Sequence, residues 1–195
     1  MRRRGTEDGP AARHNGANDA LRACLGNAGL VPRGRVVGND ADRSILMNYE
    51  SPVKYESARI HAAAVYCSDG RMGEHFDDFL QNGLGLPRYD RVALPGGPAC
   101  LAGHPQAHLE EKGVVDELQF LVEVHRLKRV VLIAHQACAF YATRLELKEP
   151  RLELLQKADL VRCAAAVHRV TGLDAIEGYF ARLVAGKVRF ERVEI

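Results

Sequence analysis

Apolar positions along this chain fall into short blocks of two kinds, unbroken runs and spaced stripes. Ile60 to Tyr66 is a short, mostly apolar run ending at Cys67, the pattern of a buried strand. Glu74 to Gln81 carries Phe76, Phe79 and Leu80 at helical spacing, and Gly83 and Gly85 stop it. Arg91 to Leu94 reads as a second strand, closed by Pro95-Gly96-Gly97-Pro98. The clearest helix follows, with Val114, Leu118, Leu121, Val122 and His125 on one stripe and basic residues near its carboxyl end. Val130 to Ala134 comes at once, apolar on both faces, as a central parallel strand is. Asp159 to Val170 and Ala175 to Val184 carry helical spacing, and Val188 to Val193 reads as a closing edge strand. Strands alternating with helices predict an α/β fold, a mainly parallel central sheet flanked by helices.

Residues 1 to about 46 have a different texture, rich in Gly, Arg, Asn and Asp, without lysine and without sustained periodicity. This divides the chain into an arm over residues 1–55, flexible or docking on a partner, and a folded domain over 56–195. Translation starting at Met47 is an alternative account of the same texture. The three arginines after Met1 are followed by polar sequence with Glu7 and Asp8, so no signal-peptide core continues them. No apolar run approaches the roughly 18 residues that span a bilayer. With 27 Lys plus Arg against 25 Asp plus Glu, the net charge of +2 gives no argument for a nucleic-acid partner. Five widely spaced cysteines, an odd number in a chain of 195 residues, fit a reducing, cytoplasmic setting rather than a disulfide framework.

Position sorts those cysteines. Cys67 ends the first strand in Cys67-Ser68-Asp69-Gly70-Arg71, and His135 and Cys138 end the central one in His135-Gln136-Ala137-Cys138. Open α/β sheets place their sites just past the carboxyl ends of strands. If the two strands are neighbours, two thiolates and an imidazole converge, a donor set suited to tetrahedral zinc with one position left open. The plainer reading is that each cysteine is a small core residue. For Asp69 and Arg71 the plainer reading is a helix-capping Asp beside a surface Arg. Gly96 and Gly97 either present backbone N–H groups to an oxyanion or form an ordinary turn. His104 and His108 are candidates for proton shuttling or plain surface histidines.

The motif pair, Cys-x-Asp-x-Arg and then His-x-x-Cys, resembles the signature of the β-class carbonic anhydrases, and the likeness extends over about Ile60 to Phe140. The resemblance implies zinc held by Cys67, His135 and Cys138, with Asp69 and Arg71 as the catalytic pair. It implies reversible hydration of CO2 to bicarbonate by a zinc-bound hydroxide, and a homodimer or higher homo-oligomer. In that family the same Asp can also move onto the metal and close the site. This chain departs from the family pattern at Gly70, where Ser is usual, and at Ala139, where Gly is usual. Ala93 to Pro98 replaces the usual Arg-Asn-Ala-Gly, and no substrate-site Gln stands in a matching context. A divergent branch is implied, leaving two alternatives to CO2 hydration: hydrolysis of COS or CS2 at the same site, or a zinc-binding module without catalysis.

Overall fold

The computed structural model describes residues 49–195. The arm expected at the amino-terminal end falls largely on residues 1–48 and so lies outside the described residues. Five strands form one sheet: β1 (Ala62–Cys67), β2 (Asp90–Leu94), β3 (Arg129–His135), β4 (Ile176–Val184) and β5 (Lys187–Val193). Their order across the sheet is β2-β1-β3-β4-β5, parallel except for the antiparallel β4–β5 pair. The helices are α1 (Gly73–Asp78), α2 (His108–His125) and α3 (Arg151–Thr171). The mainly parallel sheet with flanking helices is the predicted fold class.

Burial explains why the central strands are the most apolar. Every residue of β1 is buried, as is β3 from Val130 to His135. Side chains alternate between the two faces, and each face has its own core. One joins Ala63, Val65, Val130 and Leu132 to α2 and α3 through Leu118, Leu160 and Val167. The other joins Ala64, Tyr66, Val131 and Ile133 to α1 through Phe76 and to the turn that follows it through Leu80. There Phe79 stacks on Phe190 at 4.0 Å and meets Tyr179 edge-on.

Three readings of the spacing need correction. The segment after Ala175 is strand β4, not a helix. Ile176, Tyr179, Phe180, Leu183 and Val184 satisfy a helical stripe, but the segment pairs with β3 on one side and β5 on the other. Gly178 favours that outcome, because a Cβ there would stand 3.1 Å from the Ile195 side chain and 3.7 Å from Leu160. The hairpin turns at Ala185 and Gly186, both at positive φ, which suits the strand twist. Helix α3 begins at Arg151 rather than Asp159, so its buried stripe is longer than its apolar residues alone indicate. The helix expected over Glu74–Gln81 is α1 followed by a wide π-helical turn, Phe79–Gly83. Among the described residues, no helix is long and apolar enough to cross a membrane.

Candidate metal centre

β1 and β3 are hydrogen-bonded neighbours, with Tyr66 opposite Ile133, so Cys67 and His135 end side by side. Beyond His135 the chain reverses through Ala137, whose φ of 57° is left-handed and costly for a residue with a Cβ. That turn brings Cys138 back toward the strand ends. The ligating atoms of Cys67, His135 and Cys138 all lie within 4.8 Å of one another, and all three residues are buried.

This donor set fits a tetrahedral metal ion. Two thiolates bound to one zinc stand about 3.8 Å apart, and the Cys67 and Cys138 sulfurs are 3.9 Å apart. Both thiols are free. His135 Nδ1 lies 3.0 Å from the Gln136 carbonyl oxygen. A carbonyl can only accept, so Nδ1 carries the proton and Nε2 keeps its lone pair. Nε2 is buried with no hydrogen-bond partner, a costly state for a polar atom unless something coordinates it. The hydrogen bond from Cys138 pulls the Cys67 thiol well below its ordinary pKa against the effect of burial, with help from the Gly96 backbone. The same hydrogen bond, together with burial, pushes Cys138 up. A cation bound here would take both sulfurs as thiolates and displace their protons.

Asp69 and Arg71 flank this cluster. Arg71 donates from Nε to Asp69 Oδ1 at 3.0 Å and from NH2 to Oδ2 at 2.6 Å, and its backbone N–H reaches Oδ1 at 3.0 Å. These bonds hold the Asp69 carboxyl down to about 2. Helix α1 has no side-chain cap, so the capping reading of Asp69 fails. Gly96 and Gly97, both buried, form the wall beside Cys67 at φ of 83° and 55°. A Cβ on Gly97 would stand 2.6 Å from the Tyr66 carbonyl carbon, and one on Gly96 would strike Phe140. The amide of Gly96 is directed at the Cys67 sulfur. His104 is no plain surface histidine: it is half-buried and its Nε2 lies 2.6 Å from Asp159 Oδ2. His108 is exposed at the start of α2.

Sequence reasoning missed three side chains that hold this site together. Gln156, Asp159 and Cys163 share one face of α3 and are all buried. Gln156 donates to the His135 carbonyl at 2.8 Å. Asp159 accepts from Tyr141 at 2.9 Å and from Arg162 at 2.7 Å, in addition to its bond with His104. Cys163 donates to the Pro98 carbonyl at 2.8 Å. The end of β3, the coil after Cys138 and the glycine turn are therefore all fastened to one helix. Their signal in the sequence is a pair of polar residues, Gln156 and Asp159, within the stripe formed by Leu152, Leu160, Cys163 and Val167.

The family described as "Putative carbonic anhydrase" matches residues 57–182, more than half of the chain. This chain belongs to that family. Three β-carbonic anhydrases of known structure are similar to this carbonic anhydrase family member. Isoform I of Trichomonas vaginalis is 15% identical with a TM-score of 0.48, over 77% of this chain and 92% of that one. An enzyme of Aspergillus fumigatus is 21% identical with a TM-score of 0.37, over 70% and 77%. A structure from a study of two tetrameric enzymes of Sordaria macrospora is 14% identical with a TM-score of 0.44, over 70% and 82%. An uncharacterized protein of Rickettsia conorii is 30% identical over 78 residues, so the match spans 40% of this chain and 41% of that protein.

Proposed function

We propose that this carbonic anhydrase family member catalyses the reversible hydration of CO2 to bicarbonate, with zinc held by Cys67, His135 and Cys138. The observation that carries the reading is the buried Cys-His-Cys cluster, with its unpartnered His135 Nε2, flanked by the Arg71-clamped carboxylate of Asp69. When bound, zinc supplies a Lewis acid that lowers the pKa of water to about 7, an established value for carbonic anhydrases and not one derived from this chain. Asp69, kept ionised by Arg71, accepts a hydrogen bond from the attacking water and aims its lone pair at the carbon of CO2. Arg71 is exposed and fixes that carboxylate from the solvent side. Gly96 steadies Cys67 through its amide, and Gly97 lets the wall close against β1 without a side chain in the way. Phe76, edge-on to the His135 ring at 6.2 Å, keeps that side dry. The free, buried cysteines fit a reducing cytoplasm. A homo-oligomer would cover the exposed Leu109, Phe120 and Val124 of α2.

Stopped-flow CO2 hydration at pH 7 to 9, with metal content assayed on the same sample, tests the reading. Hydration well above the buffer blank is the expected result. Stoichiometric zinc without turnover on CO2 would replace it with COS or CS2 hydrolysis, or with a zinc module lacking catalysis.

A further inference from the structure

At the end of the sheet opposite the metal centre, the segments entering β1, β2 and β3 enclose a pocket of about 340 Å³. It lies near Ala62, about 17 Å along β1 from Cys67 at the strand rise of an extended chain. Each entering segment brings a cation: Arg59, with His61 nearby, before β1, Arg88 before β2, Lys128 and Arg129 at the turn into β3. Among the described residues, no carboxylate lines the pocket. In a chain of net charge +2, four cations around one concavity form a local concentration that repels itself.

Among the described residues, only part of that charge is answered. Arg129 Nε pairs with Glu177 at 2.6 Å. His61 Nδ1 meets the Arg126 carbonyl at 3.0 Å. Arg88 spends one nitrogen on the carbonyls of Glu56 and Ala58, which steadies the guanidinium; among the described residues its other N–H groups have no partner. Among the described residues, Arg59 and Lys128 have no carboxylate partner. The floor between these groups is apolar, made by Ile60, Leu86 and Pro87. The volume lies at the lower end of the range for small-molecule sites.

We propose that this pocket binds a small organic anion, its phosphate or carboxylate head held by Arg59, Arg88 and Lys128 and its apolar body lying on Ile60, Leu86 and Pro87. A guanidinium fork offers paired donors to such a head, and a lysine adds a mobile point charge. The proposal is independent of the metal centre and of the reaction assigned to it.

Calorimetric titration of the full chain with phenyl phosphate and with inorganic phosphate tests it. Phenyl phosphate binds with one-per-chain saturation and several-fold more tightly than inorganic phosphate. The exposed double variant Arg59→Ser/Lys128→Ser weakens it at least tenfold, while Arg59→Lys/Lys128→Arg, which keeps both charges, retains it. Absence of saturable binding, or equal binding by the Ser/Ser variant, overturns the site. Equal affinity for the two probes overturns the role of the apolar floor.

Discussion

Cys67, His135 and Cys138 form a buried cluster of polar side chains at the ends of β1 and β3. A buried imidazole nitrogen with no partner and two sulfurs at 3.9 Å make poor sense as core packing. Replacing Cys67 by Ser should therefore cost metal affinity more than the roughly 10–100-fold that follows loss of an outer partner of a ligand. Metal analysis after dialysis reads this directly, and full zinc stoichiometry in the variant would falsify the ligand assignment. Asp69→Asn should keep zinc and lose turnover by on the order of 10²–10⁴-fold, the usual weight of a positioned proton acceptor. Undiminished hydration by that variant would end the orienting role. Gly97→Ala tests the wall: a methyl group 2.6 Å from the Tyr66 carbonyl carbon, at positive φ, should destabilise the domain by about 1–3 kcal/mol. Denaturant unfolding measures the cost, and an unchanged midpoint would show that the turn gives way.

Helix α3 is the element on which the site depends most, although no metal-ligating atom comes from it. Its buried Asp159 accepts from three partners on three segments, so Asp159→Ala leaves Tyr141, His104 and Arg162 without their acceptor. Breaking a buried charged pair of this kind costs about 3–5 kcal/mol, whereas Arg162→Ala, on a half-exposed partner, should cost under about 1 kcal/mol. Urea unfolding of the two variants decides it, since similar losses would mean that Asp159 is no hub. The motif residues were legible because each stands at a strand end, where spacing and fold class meet. Gln156 and Asp159 were not legible, because a polar residue on an apolar stripe declares burial only once its partners from elsewhere are known. His125 shows the same limit. It sits on the α2 stripe, yet its Nδ1 reaches across to Asp90 of β2 at 2.8 Å. β4 was misread because five of its apolar residues fall on a helical stripe while both faces of the strand carry apolar side chains. Only pairing to β3 and β5, a property of the whole sheet, separates strand from helix.

At the scale of the molecule, one charged network ties the antiparallel edge to α3. Arg182 of β4 donates to Glu153 of α3 at 2.9 Å and to Glu191 of β5 at 3.0 Å, and Lys157 also reaches Glu153. Arg182, and then Lys157, hold the Glu153 carboxyl down to about 2. A depressed carboxylate contributes stability that is fully present above its unfolded pKa, about 4.3, and is lost as pH falls through the folded value. Thermal midpoints should therefore fall between about pH 5 and pH 2, and Glu153→Gln should flatten that slope; parallel curves would exclude the network as a cause. The sulfurs of Cys67 and Cys138 stand 71 residues apart in the chain. A loop of that length closes only when β1 has found β3 across α2, a late and entropically expensive event in folding. No partly folded chain owns the three-donor cluster, so the rate at which a refolding sample captures metal is a clock for the sheet's central pairing, and chelation withdraws its reward for closing.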